Sequence, residues 1–184
     1  MESWLRRFAA KLAQLWRHLW LDAGDARRRL GEAGLDRLEA AVARSEAQHS
    51  GQICLCVEAS LPASLLWTLL RGRPLDEIVR TRALETFSRL QVWDSEANNG
   101  VLIYVLLAER RLELVADRSL ARELDEAAWQ QLTDQLAPLL GADLEAGMQA
   151  AIDAMHALLI GHFPVSEATD QAGANTLPDR PQLI

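Results

Sequence analysis

The stretch NNGVLIYVLLAERRLELVAD, residues 98–117, predicts a β-hairpin. Two asparagines and a glycine favour a turn, and the apolar run Val101–Leu107 that follows has the length and composition of a buried strand. Glu109 and Arg110 form a short turn before the strand formers Arg111–Ala116. An antiparallel pair of strands therefore lies in the middle of the chain.

Elements on both sides of this hairpin define the fold class. The apolar run Gln52–Glu58 predicts another buried strand. Helical spacing of apolar residues predicts helices over residues 25–49, 75–92, 122–139 and 143–160. Residues 59–75 are apolar but contain Pro62 and Pro74, and predict either a helical turn or an exposed loop. This order predicts an α/β fold, a three-layer α/β/α sandwich with a small mixed sheet, preceded by an N-terminal amphipathic helix.

Composition indicates one globular domain. The 184 residues are 49% hydrophobic and 24% charged, which excludes collagen-like and disulfide-scaffold classes. No apolar run approaches the length of a bilayer span, and charged residues interrupt the first twenty residues where a signal peptide would need a continuous apolar segment. Cys54 and Cys56 lie too close to bridge each other in a strand, which predicts buried thiols. We therefore expect a cytoplasmic protein.

The charge distribution is asymmetric. Residues 1–30 carry a net charge of +4, which leaves −11 for the rest of a chain whose total is −7. An acidic body argues against nucleic-acid binding, because that binding depends on clustered lysine and arginine.

The N-terminal segment has an apolar, aromatic face opposite a basic one, as in helices that lie in a membrane interface. The alternative is a helix that packs on its own domain or on a partner. If the segment docks on a membrane surface or a membrane-protein partner, the residues predicted to do so are Trp4, Phe8, Leu12, Trp16, Leu19, Trp20 and Trp67. The predicted segments are a basic Trp-rich amphipathic helix over 1–24, an α/β domain over 25–164 and a disordered tail over 165–184.

Common catalytic motifs are absent from the sequence, so no catalytic residue is predicted. Glu46 and His49 have the spacing of a metal-binding helix pair, but a pair alone is a weak signal, and a surface pair or a C-cap at His49 is the more common arrangement. Carboxylates also collect near the predicted strand ends, at Glu58, Asp94, Glu96, Asp117 and Glu126. Oxygen ligands of this kind suit Ca²⁺ or Mg²⁺, although acidic residues in turns and first helical turns also stabilise helices without a ligand.

The hairpin, together with Trp129, Gly147 and the sequence His162-Phe-Pro164, resembles the TPM domain family over residues 33–164. The chain is most similar to a bacterial cytoplasmic branch, related to thylakoid-lumen and photosystem II repair proteins. The resemblance implies an α/β/α sandwich, calcium binding in some members and a debated acid phosphatase activity. The family's glutamate after the hairpin falls on Ala121 here, so a metal site would have to use Asp117, Glu126 and Asp94.

Two functional hypotheses follow from these observations. The first is a non-enzymatic TPM-domain module that docks at the cytoplasmic membrane face or on a membrane-protein partner. The alternative is a divalent-metal-dependent acid phosphatase, in which the cation polarises phosphoryl oxygens or activates water.

Overall fold

A computed structural model describes residues 16–18, 20–95, 97–165 and 177–184. The helices are α1 (Ala23–Glu46), α2 (Ala63–Leu70), α3 (Leu75–Arg89), α4 (Arg118–Ala121), α5 (Glu126–Ala142) and α6 (Leu144–His162). The strands are β1 (Ile53–Glu58), β2 (Val101–Leu106), β3 (Arg111–Ala116) and β4 (Gln182–Leu183). Before α1, residues 16–18 and 20 are also helical.

The four strands form one mixed sheet in the order β3-β2-β1-β4. β1 pairs in parallel with both β2 and β4, and β2 pairs antiparallel with β3. The predicted hairpin and the mixed α/β class are confirmed. Parallel pairing of β1 and β2 requires a crossover, which residues 59–100 supply with α2 and α3.

Helices cover both faces of the sheet. On one face Leu38 of α1 and Ile152 of α6 belong to the same core cluster as Leu55. On the other face Ile78 of α3 belongs to a second cluster with Cys54 and Cys56. The two thiols are fully buried as predicted, and burial raises the pKa of each to about 12. They are therefore packing groups and not thiolates.

Local signals set the helix ends. Asp22 caps α1 in a capping box with Asp25, and Gly31 interrupts that helix with a φ of 65°. α5 begins at Glu126 and not at the predicted residue 122, because the Asp125 side chain accepts a hydrogen bond from the Ala128 amide and fixes the start there. Residues 63–70, left open between a turn and a loop, form a regular helix.

The expectation of a disordered tail is wrong for residues 177–184. β4 covers the free edge of β1, where Ile184 donates its amide hydrogen to Val57 and its carbonyl accepts one from Ala59. Arg180 forms ion pairs of 2.6 to 2.8 Å with Glu32, Asp36 and Glu39 on α1. Backbone pairing needs no apolar pattern in the added strand, which is why composition did not indicate it. Residues 166–176 of the predicted tail lie outside the described residues.

A buried ion pair lies at the carboxyl end of β1. The Glu58 carboxylate accepts three hydrogen bonds of 2.7, 2.8 and 3.0 Å from Arg82 on α3 and one of 2.6 Å from the Tyr104 hydroxyl. The Glu58 and Arg82 side chains are 4% and 14% exposed. Burial and the nearby Glu58 carboxylate raise the pKa of Tyr104, so its phenol stays protonated and donates.

A second polar group joins α1 to α6. Ser45 lies between two histidines, with its hydroxyl oxygen 2.8 Å from His49 Nε2 and 2.9 Å from His156 Nδ1. Glu46 accepts the amide hydrogen of Ile53 at 2.6 Å, so it points toward β1 and does not form a ligand pair with His49. Burial lowers the pKa of His49 to about 4 and raises that of Glu46 to about 7.

Replacing Arg82 with Met should destabilise the fold by about 3 kcal/mol, because Glu58 is left as a buried charge without its cation. For a chain of this size the midpoint of thermal unfolding should fall by roughly 6 to 12 °C. Arg111→Met is the matched control, since Arg111 pairs with an Asp76 side chain that is 76% exposed, and it should cost less than about 1 kcal/mol. Equal losses in the two variants would contradict the role given to the buried pair.

Glu46 and His49 should give opposite pH dependence of stability. The lowered pKa of His49 stabilises the fold above pH 6.5, and this is lost as the pH falls toward 4. The raised pKa of Glu46 stabilises the fold below pH 4.5, and this is lost as the pH rises to about 7. Relative to the wild type, Glu46→Gln should gain stability with rising pH across this range, and His49→Asn should lose it. Urea unfolding at stepped pH measures both, with His162→Asn as a surface control, and parallel curves would contradict the assignment.

Candidate functional site

A buried histidine fixes the short helical segment formed by residues 16–18 and 20 to the domain. The His18 side chain is fully buried, and its Nδ1 accepts a hydrogen bond of 3.2 Å from the Leu61 amide. Nε2 therefore carries the proton and donates to Glu109 at 2.9 Å. Ser60 donates its hydroxyl hydrogen to the His18 carbonyl at 2.8 Å. These contacts hold the helix end against the loop between β1 and α2.

Arg17 adds a second attachment at the same end of the sheet. Its Nε donates to the Ala108 carbonyl at 3.1 Å, and its Nη2 lies 3.3 Å from Glu109. Ala108 and Glu109 belong to the turn between β2 and β3, so the helix end contacts both connections at the carboxyl edge of β1 and β2.

Two tryptophans lie on the opposite side of this helical segment. Trp16 and Trp20 are four residues apart and share a face, whereas His18 lies roughly opposite them at 100° per residue. Their rings stack 5.8 Å apart, and the residues are 58% and 71% exposed. At this end of the helix, packing on the domain thus uses polar side chains, and the aromatic face is left outward.

A second exposed apolar element begins two residues after Leu61. α2 has the sequence ASLLWTLL and no buried residue, because only Leu65, Leu66 and Leu69 pack in part against the second core cluster. Trp67 is 56% exposed, and the Arg71 guanidinium lies 5.1 Å from the centre of its ring. We refer to Trp16, Trp20, Trp67, Leu70 and Arg71 as the outward-facing residues.

Other predicted docking positions lie outside the described residues. They are Trp4, Phe8, Leu12 and Leu19. The sequence spacing of the first three predicts that they share a helical face with Trp16. No helix among the described residues is long and apolar enough to cross a membrane.

The predicted metal ligands have separate structural roles. Because β3 runs antiparallel to β2, Asp117 follows it at the opposite end of the sheet from Glu58. Asp117 Oδ1 accepts the Arg118 amide hydrogen and caps α4, while Oδ2 is buried without a partner among the described residues. Asp94 and Glu126 are exposed, in a turn and in the first turn of α5. No three His, Cys, Asp or Glu side chains in the described part of the chain form a metal-binding group, so this ligand set stays a prediction.

Internal hydrogen bonds and close packing hold the turn before β2. Ser95 Oγ accepts hydrogen bonds from the amides of Asn99 and Gly100, and Asn99 donates to Ser50. A Cβ on Gly100 would lie 2.2 Å from the Val92 carbonyl oxygen, which explains the glycine. Glu96 of this turn lies outside the described residues.

The sequence analysis did not single out His18, whose buried imidazole attaches the helical segment to the domain. Its only signal is its place between two tryptophans on the side of the helix away from the apolar stripe. A basic face of this kind ordinarily indicates solvent exposure, and burial of the imidazole depends on Ser60, Leu61 and Glu109, which are distant in sequence.

Comparison with known proteins agrees with this architecture. The NMR structure of the BA42 protein from the psychrophilic bacterium Bizionia argentinensis sp. nov. superposes with a TM-score of 0.63 at 18% sequence identity, covering 82% of this chain and 92% of that chain. At this identity the likeness shows the fold alone. A search of curated protein sequences gives no match. The family model for the TPM domain matches residues 25–158. This match spans well over half of the sequence, and the chain therefore belongs to the TPM domain family.

Proposed function

We propose that this protein is a non-enzymatic TPM-domain module that docks on the anionic surface of a membrane, at its cytoplasmic face. The observation that carries the proposal is the outward-facing pair Trp16 and Trp20, on a helical segment that buried His18 fixes to the domain. A helix that served only to complete the core would place its aromatic face inward.

The chemistry of the outward-facing residues suits the bilayer interface. Tryptophan combines a large apolar ring with an N–H donor, and this combination favours the headgroup region. Arg71 places a cation next to the ring of Trp67. Each arginine near an anionic surface contributes about 1 kcal/mol of attraction.

Preorganisation favours docking. Arg17 and His18 hold the helix end in place through Ala108, Glu109 and Leu61 before any membrane is present. The aromatic face therefore needs less ordering when it binds, and this lowers the entropic cost of association.

The phosphatase alternative depends on Asp117, Glu126 and Asp94 acting on one cation. No contact among the described residues brings these three carboxylates together. Docking on an integral membrane protein uses the same aromatic residues and is separated from lipid binding by the experiment below.

The triple variant Trp16→Ala, Trp20→Ala, Trp67→Ala should lose vesicle binding. Burying on the order of 100 Å² of each ring contributes about 2.5 kcal/mol per tryptophan, so partitioning should fall by about 70-fold for each ring that the membrane buries. Flotation with phosphatidylglycerol-containing vesicles measures this, and pure phosphatidylcholine vesicles test the charge requirement. Trp93→Ala is the matched control, because Trp93 is 48% exposed in the turn before β2 at the opposite end of the sheet.

The outcomes distinguish lipid binding from binding to a protein partner. Binding by wild type and the Trp93 variant, but not by the triple variant, supports the proposal. Equal flotation of all three contradicts it. No flotation of wild type, with retention on a purified integral protein that the triple variant loses, identifies a protein partner instead of lipid.

His18→Ala should detach the helix end without removing any aromatic residue. The Leu61 amide loses its acceptor, so its hydrogen exchange should become faster. Vesicle binding should weaken a few-fold because the segment must then be ordered on binding. His162→Ala, which removes a surface pair with Glu123, should leave both measurements unchanged. Unaltered Leu61 exchange in His18→Ala would contradict the positioning role of His18.

A further inference from the structure

Three consecutive residues directly after β1 hold two segments that are distant from each other in sequence. The Ala59 amide donates to the Ile184 carbonyl at 2.8 Å. The Leu61 amide donates to His18 Nδ1 at 3.2 Å, and the Ser60 hydroxyl donates to the His18 carbonyl at 2.8 Å. The C-terminal strand segment and the N-terminal helical segment are therefore attached within two residues of each other.

Ala59 is fixed through both of its backbone groups. Its amide is bound to Ile184, and its carbonyl accepts the Ala108 amide hydrogen at 3.1 Å. The Ala108 carbonyl in turn accepts a hydrogen bond of 3.1 Å from Arg17 Nε. Ala59 is 2% exposed, so an amide released by Ile184 would reach water only if the backbone moved. Loss of the bond to Ile184 therefore displaces the residues that follow Ala59.

Residues 177–184 are held largely by contacts at the protein surface, although Leu177 and Pro181 are buried. Arg180 pairs with three carboxylates of α1, and these four side chains are between 36% and 67% exposed. Ion pairs at this exposure contribute little free energy each and are screened by salt. Two residues of β4 pair with β1, and residues 182–184 are partly buried. The segment can therefore leave β1 at a lower free-energy cost than a central strand such as β2.

We propose that residues 177–184 regulate the docking surface by holding or releasing the N-terminal helical segment. While the segment 177–184 pairs with β1, the residues after Ala59 hold His18, and Trp16 and Trp20 face outward in a fixed position. When it leaves β1, His18 loses its partners and the helical segment is released. This inference rests on the proposed function, because it assigns a regulation to the same surface. By linkage the effect is reciprocal, so attachment of His18 also strengthens the pairing of residues 177–184.

Hydrogen exchange at two amides of the full chain tests this coupling without any membrane. The Ala59 amide reports on the pairing of the C-terminal segment, and the Leu61 amide reports on the attachment of His18. Arg180→Ala weakens the first attachment directly, and it should speed exchange at both amides by at least about three-fold. His18→Ala weakens the second attachment directly and should also speed exchange at both.

Two controls accompany these variants. Arg37→Ala removes another exposed arginine of an ion pair, the one between α1 and Glu145 on α6, and it should leave both amides unchanged. The Ile103 amide, in the centre of β2, reports global unfolding, and each rate is compared with it. If each variant changes only the amide of its own attachment, the two attachments are independent and the proposal is overturned.

Flotation with phosphatidylglycerol-containing vesicles tests the effect on docking. Arg180→Ala also removes a cation, which by itself weakens binding to an anionic surface. The double variant Asp36→Asn, Glu39→Gln loosens the hold on Arg180 while it removes two negative charges. Charge alone would strengthen its binding, whereas release of the helical segment should weaken binding by at least about two-fold. In a His18→Ala background the same two substitutions should no longer weaken it.

The two measurements fail separately. Binding of the double variant that equals or exceeds that of the wild type, while the wild type floats, overturns the proposed regulation. No flotation of the wild type, with faster exchange at both amides in Arg180→Ala, contradicts the membrane proposal and supports the coupling between the two segments. Unchanged Leu61 exchange in Arg180→Ala overturns the coupling whatever the vesicles show.

Discussion

Burial of β1 on both faces and both edges is the constraint on which the rest of the structure depends. All six of its residues are buried, and each backbone donor and acceptor on such a strand needs a partner inside the protein. β2 supplies one edge and β4 the other. Glu46 receives the first amide at Ile53, and Arg82 neutralises the carboxylate at Glu58. β1 therefore needs the second helical layer to cover its other face and the C-terminal strand to cover its other edge.

Sequence patterns predicted the elements whose side chains carry the burial signal. Val101–Leu106 and Ile53–Glu58 are continuous apolar runs, and α1, α3 and α6 repeat apolar residues at helical spacing. β4 carries no such signal, because two residues in a Pro-containing segment are held by backbone hydrogen bonds and by Arg180. α2 was ambiguous for the opposite reason, since its apolar residues are left mostly uncovered.

The residues of the candidate site also differ in how far the sequence predicts their roles. The tryptophans were predicted as docking residues from composition and periodicity, both of which are local properties. Strand direction is not local, and the antiparallel course of β3 decides that Asp117 and Glu58 lie at opposite ends of the sheet. The role of His18 depends on Glu109, ninety-one positions away in the chain. In the proposed docking, an anionic membrane attracts the basic N-terminal region and repels the acidic remainder of the chain. The charge asymmetry therefore orients the domain with Trp16 and Trp20 toward the membrane.

The buried thiols of Cys54 and Cys56 report how often the folded domain opens. They lie in the central strand with pKa values near 12, so an alkylating reagent finds no reactive thiolate in the folded state. Neither thiol is reached by fraying of α2 alone, because both side chains lie in the second core cluster beneath α3. The rate of cysteine labelling in native buffer therefore follows the rare global unfolding of the domain, and any ligand of the folded state slows it.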